Sequence, residues 1–333
     1  MAYQVHRSMH PSVRPHRLPV QHTLKKVTNT VGVAVFLTAV LCQIASAEDL
    51  NVNYLYNLTD FTGDLPLSGA RLFADRGHRE LYAIDQDYTV RIFNDAGMEI
   101  YNFNDDNGLG KILIDLAVDK NGNILFLAST MGIGGSYLLQ CNYRGELIST
   151  LELRNLPNDF APGFMAYQDG RLYLADSTNM KVVVMDEQGN IEKTIDLYPF
   201  LNVKKQRTDL GLGGFSLDKD GSLLFTIPVL FQGFRLSNDG KLVAFGVRGS
   251  APGKFNVVAG IITDNEGHYF VSDKLKCAVL IFDKDFNFIT QVGFRGFDIP
   301  GGLIVPSVMA YMDKRLYVSS GAHQGVSVFA MGL

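Results

Sequence analysis

The chain reads as an all-β protein: a six-bladed β-propeller of four-stranded antiparallel blades, its ring closed by an N-terminal strand. Three observations predict this. First, an apolar strand phrase with a central aromatic recurs six times, with Tyr82, Phe126, Tyr173, Phe225, Phe270 and Tyr317 as markers. The steps between markers are 44, 47, 52, 45 and 47 residues, the period of one supersecondary unit repeated. Second, Asx-Gly turn signals punctuate each unit at strand-length intervals, as in Asp119-Lys120-Asn121-Gly122 and Asp218-Lys219-Asp220-Gly221. Third, no long stretch carries a 3.6-residue period, so helix should be scarce.

Each unit has one internal order. A short apolar strand such as Leu116-Ala117-Val118 comes first and turns into the marker strand. A polar loop leads to a third strand, such as Val182-Val183-Val184-Met185. A second turn, such as Asp186-Glu187-Gln188-Gly189, leads to a fourth strand, Ile191 to Ile195 in this unit. Four strands repeated radially make a propeller blade. The blades fall at about 66–106, 110–156, 160–198, 210–247, 255–294 and 303–333. The last lacks a fourth strand of its own, and the spare apolar segment 50–58 is expected to supply it, hiding the edges an open array would expose.

Residues 1–47 read as a leader and secretory signal peptide, leaving 48–333 as one propeller domain. Lys25-Lys26 precede the apolar run Val31 to Leu41, and Ala45-Ser46-Ala47 fits a small-x-small cleavage site after Ala47. The run is short for a membrane span, so the expected location is exported, periplasmic or extracellular, with no transmembrane segment in the mature chain. The whole chain has 30 basic and 34 acidic residues; losing the five basic residues of the leader leaves 25 against 34, a balance of −9. That balance argues against a general nucleic-acid or anionic-membrane binder. The two remaining cysteines, Cys141 and Cys277, fall in blades two and five on opposite sides of the ring, beyond disulfide reach.

The segment Gly246-Val247-Arg248-Gly249 to Lys254-Phe255, then Ile261-Ile262-Thr263-Asp264 and Tyr269-Phe270-Val271-Ser272-Asp273, resembles the NHL repeat. A second copy starts at Phe294-Arg295-Gly296 and a third spans Leu172 to Gly189. Blades two and four depart from the pattern, their markers ending in Ser129 and Pro228 where the family has Asp. The resemblance covers about residues 60–330 and implies the six-bladed architecture, which TolB-like proteins share. It implies little about activity, because the family includes binding scaffolds, lyases and sensor domains.

No catalytic motif stands out. The mature chain has three histidines: His78 and His268 in turns at one end of the propeller, His323 in a loop at the other, so they do not converge on one ion. All three are expected to be solvated. The repeat-end carboxylates Asp85, Asp176 and Asp273 are expected to cap their own turns. There is no Gly-x-Ser-x-Gly, no Cys-x-x-Cys-His and no phosphate-loop spacing, and no cofactor is called for. Gly211-Leu212-Gly213-Gly214 reads as hinge glycines at a blade entry.

Charge is distributed unevenly. The loops of blades three to five that should share one face carry nine basic residues against four acidic ones. Candidate binding residues there are Lys204, Lys205, Arg207, Phe231, Arg248, Lys274, Lys276 and Arg295. Basic groups mixed with apolar anchors suit an anionic ligand or an acidic partner surface. The reading is a non-catalytic binding or assembly module for an exported protein, a peptide or a polysaccharide. Its rival is a metal-dependent propeller enzyme of lyase or lactonase type.

Overall fold

The structure, a computed structural model, describes residues 50–59, 67, 69–104, 111–130, 135–264, 266–297, 299–321 and 325–332. Six four-stranded antiparallel sheets form a ring of blades. Their innermost strands are Arg71–Asp75, Ile112–Val118, Pro162–Gln168, Gly214–Leu217, Val258–Thr263 and Pro306–Met312. Among the described residues, helix is confined to one α-turn, Tyr198–Leu201, and two 3-10 turns, Arg207–Asp209 and Pro228–Leu230.

The continuous apolarity of the marker strands follows from their position between two neighbouring blades. Side chains alternate across a strand, and here both faces are buried. Leu81 and Ala83 pack toward blade six, while Tyr82 and Ile84 pack toward blade two. The core is accordingly six apolar clusters, one at each junction between adjacent blades. Aromatic pairs fill the junction of blades four and five, where Phe245 stacks on Phe286 with ring centroids 4.5 Å apart. The tight turns use left-handed glycines, φ +83° at Gly122 and +78° at Gly221.

Ring closure is as expected. Asn51–Leu58 pairs antiparallel with the final strand, Val326–Gly332, from Asn51 opposite Gly332 to Leu58 opposite Val326. Neighbouring blades are also tied by hydroxyls near the ends of the marker strands. Thr226 Oγ1 donates to the carbonyl of Ala259, and Ser272 Oγ donates to the carbonyl of Ser307 at 2.9 Å. Glycines permit this approach. A Cβ on Gly214 would collide with the Ala259 carbonyl, and one on Gly260 with the Ser307 carbonyl. Gly214 is therefore a packing residue at the blade entry, where a hinge was expected.

Cys141 and Cys277 are buried free thiols. Among the described residues, no helix is long and apolar enough to cross a membrane.

Candidate functional site

Strand order puts the blade connectors and the loops after the marker strands at one end of the ring, and the tight turns at the other. The repeat-end carboxylates build the connector end. Asp273 is fully buried; its Oδ1 accepts the N–H groups of Val257, Leu275 and Lys276 at 3.1, 3.0 and 2.9 Å, and its Oδ2 that of Asn256 at 2.6 Å. Asp176, also fully buried, accepts from Thr178, Asn179 and Ala161. Each carboxylate thus holds both its own loop and the connector that enters its blade. Such caps satisfy buried backbone donors, as the sequence led us to expect.

The eight candidate residues occupy this end in two groups. In the connector from blade three to blade four, Arg207 is committed to the fold. It holds Asp196 through two bonds of 2.9 and 2.6 Å, donates to the Asn179 carbonyl at 2.6 Å, and lies 4.8 Å from the Tyr198 ring centroid. Burial alone would push the Asp196 carboxyl up; the Arg207 fork and the Tyr198 N–H outweigh it and hold it below the usual range. Lys204 and Lys205 are exposed.

The second group surrounds blades four and five. Arg248 lies 5.0 Å from the ring centroid of Phe231, whose φ of +57° places it in a left-handed turn. Lys276 donates to the Ala251 carbonyl at 2.8 Å, and burial lowers its pKa. Arg295 reaches the Leu275 carbonyl at 3.5 Å, the edge of hydrogen-bond distance. Of the other apolar residues in these loops, Phe255 is core, while Val229 and Phe297 are exposed. The structure adds Val247, Leu275, Phe294 and Ile299 as exposed apolar neighbours in the same loops and connectors. Sequence reasoning missed them because a lone apolar residue in a loop does not announce whether it packs or protrudes.

Lys274 lines a further feature that the sequence did not reveal. The six innermost strands enclose a cavity of about 690 Å³ along the ring axis. At its connector end stand Arg71, Asp115, Phe164 and Lys274. Arg71 takes no hydrogen-bond partner among the described residues; its guanidinium lies 5.4 Å from the Phe164 ring centroid and interacts electrostatically with Asp115. Asp115 is itself a packing carboxylate. Its Oδ2 accepts the Met165 N–H of the next blade at 2.9 Å, its Oδ1 accepts the Leu116 N–H at 3.0 Å, and burial raises its pKa.

At the turn end, Asp264, Glu266 and His268 offer ligand atoms within 4.8 Å of one another. The turn itself employs those of Asp264 and His268. Asp264 Oδ1 accepts the N–H groups of Glu266, Gly267 and His268, and Oδ2 lies 2.7 Å from His268 Nδ1. His268 is therefore buried and bonded, where a solvated turn residue was expected. His78 is exposed and bonded to Asp75 in the corresponding turn of blade one. His323 lies outside the described residues.

No family model matches the chain, and no curated protein matches it. Solved structures share its fold. Virginiamycin B lyase from Staphylococcus aureus aligns with a TM-score of 0.57 at 12% identity, over 86% of this chain and 100% of the lyase. An auxiliary nutrient binding protein from Bacteroides ovatus aligns with a TM-score of 0.58 at 14% identity, over 85% and 78%. A putative gluconolactonase aligns with a TM-score of 0.56 at 13% identity, over 86% and 93%. At such identities the likeness establishes the six-bladed propeller, an architecture on which these proteins carry different functions.

Proposed function

We propose that the chain is an exported, non-catalytic binding module that takes an anionic partner at the connector end of the ring. The carrying observation is the positive charge there. Arg71 stands in the channel with no hydrogen-bond partner among the described residues, Lys274 joins it at the same end, and Lys204 and Lys205 are exposed in the surrounding loops. Of the described carboxylates of these loops, Asp176 and Asp273 are consumed by backbone N–H groups, and exposed Asp209 is the acidic residue left facing the lysines. Exposed Leu275, Phe294, Phe297 and Ile299 supply apolar contact beside the charge. An exported protein, a peptide or a polysaccharide bearing carboxylates fits such a surface. The fold neighbours include a protein described as nutrient binding, so the scaffold supports this use as well as lyase chemistry.

Capture of exported partners by the immobilised mature protein tests the reading. Capture should weaken between about 0.1 M and 1 M salt, where the screening length falls from about 10 Å to about 3 Å. Reversal of Lys204, Lys205 and Lys274 to Glu should reduce capture about tenfold, roughly 1.4 kcal/mol, and Phe231→Ala should weaken it too. The reading fails if the triple reversal captures normally while Lys314→Glu, at the turn end, abolishes capture. It also fails if the purified protein carries a stoichiometric metal and turns over lactones or cyclic peptides.

A further inference from the structure

A second cavity, of about 630 Å³, lies between blades three and four and shares Gln168 and Lys219 with the turn end of the channel. Its size falls within the range of small-molecule sites, about 300–1,000 Å³. The connector between these blades, residues 197–213, is the longest of the five and carries the helical turn Tyr198–Leu201. Phe200 from that turn lines the cavity and stays partly exposed. Opposite elements contribute Tyr173 from the blade-three marker strand and Leu223 and Leu236 from blade four.

The lining has three properties. First, it is close to electrically balanced: Arg171, Lys193 and Lys219 stand against Asp169, Glu192, Asp196 and Asp220. Arg171 is bonded to Glu192 at 2.7 Å, Asp196 to Arg207, and Asp220 to Arg235 at 2.5 Å. Of the rest, Lys193 and Lys219 stand against Asp169, so a single positive charge is left over in a lining that is otherwise paired. Second, hydrogen-bonding capacity is left over. Gln168 and Asn238 each give an amide N–H to a backbone carbonyl, of Lys219 at 3.0 Å and of Asp220 at 2.9 Å, and retain their amide oxygens as acceptors. The Tyr173 hydroxyl has no partner among the described residues, and burial raises its pKa, so it remains a neutral donor. Third, Tyr173 and Phe200 present aromatic carbon beside these polar groups.

We propose that this cleft binds a neutral saccharide. A pyranose combines an apolar C–H face with a rim of hydroxyls that each donate and accept, which is what two aromatic rings beside uncharged and mutually neutralised polar groups can satisfy. Its apolar face lies against Tyr173 and Phe200. Its hydroxyls meet the oxygens of Gln168, Asn238 and Asp169. The site is independent of the anionic-partner surface at the connector end.

Saturation-transfer NMR on the mature protein, with maltohexaose, cellohexaose, xylohexaose and chitohexaose as probes, tests the proposal. At least one should bind at about 1 mM, a free energy of about −4 kcal/mol. Phe200→Ala should weaken that binding about tenfold, roughly 1.4 kcal/mol, and Tyr173→Phe should weaken it to a smaller degree. Lys284→Ala, on an exposed turn of blade five, should change nothing. Asn238→Ala, on an exposed turn, gives a second reading should Phe200→Ala perturb the fold. The proposal is overturned if none of the four sugars binds at that concentration. It is equally overturned if binding survives all three cleft substitutions, or if only acidic sugars or apolar peptides enter.

Discussion

Replacing Asp273 by Ala should be among the most damaging single changes at the connector end. The carboxylate is fully buried and accepts four backbone N–H groups, from Asn256, Val257, Leu275 and Lys276, at 2.6 to 3.1 Å. Truncation leaves four donors without an acceptor. A buried unsatisfied group costs about 1–3 kcal/mol. The donors here are part-buried, so the lower figure applies to each, and the sum is about 4 kcal/mol. For a domain of this size about 2–4 °C of melting temperature accompanies each kcal/mol, so the midpoint should fall by about 10 °C. Asp273→Asn keeps one oxygen and should fall between wild type and the Ala variant. Asp285→Ala, which removes an exposed partner of Lys284, should stay within about 0.5 kcal/mol of wild type. Differential scanning calorimetry at neutral pH reads all three. If Asp273→Ala melts within a degree or two of wild type, the repeat-end carboxylates do not hold the connectors.

Deleting residues 48–60 should strip the outer strand from Val326–Gly332 and uncover Leu58's packing site, giving soluble aggregates by light scattering; an unchanged melting temperature would refute the closure role. Burial pushes the Cys141 thiol up to about 11, so alkylation near pH 8 should spare it in the native protein. Both cysteines should be labelled after denaturation without reductant, and a bridge found by mass spectrometry would contradict the two free thiols. Arg207→Ala should remove a stabilisation that depends on pH in a defined direction. The Asp196 carboxyl titrates below its ordinary 3.8 in the fold. Its contribution is therefore complete above that value and lost as pH falls through the lowered folded value. The gap in denaturant midpoint between wild type and variant should stay constant from neutral pH down to the ordinary carboxylate range and shrink below it; a gap that widens in acid would sink the assignment.

The ring was legible because its physics is local and repeated. Leu81-Tyr82-Ala83-Ile84 alternates toward two neighbouring blades, so a strand with both faces buried must read as continuously apolar. Asx-Gly turns mark the hairpins in the sequence itself, and a missing fourth strand beside a spare one implies closure. The caps at Asp176 and Asp273 were legible for the same reason, since an Asp followed by a short loop tends to bond that loop's N–H groups. What stayed hidden depends on partners far apart in sequence. Arg207 looks like any loop cation until Asp196 and Tyr198 are seen to hold it. His268 looks solvated until its turn folds over it. Arg71 and Phe164, in blades one and three, meet only once the ring is built. The cleft between blades three and four likewise needs Tyr173 and Phe200 brought together by a connector whose path no local pattern dictates.

Sealing the ring with its own beginning has a consequence for when the protein can finish folding. Asn51 pairs with Gly332, so this contact joins the first and last strands of the ring. The first five blades are hairpin-connected sheets that draw all their strands from adjacent sequence, whereas the sixth is completed only when Asn51–Leu58 docks on Val326–Gly332 from far along the chain. Until then Val326–Gly332 is an unpaired edge. Because the entropy of closing a loop grows only logarithmically with its length, the delay is a matter of search more than of stability, and long-range pairing of this kind slows folding. Once made, the same contact is an antiparallel zipper of seven residue pairs that must open before either strand can fray. A clamp on the N-terminal strand would therefore arrest the molecule as an open crescent, with five blades formed and the sixth incomplete.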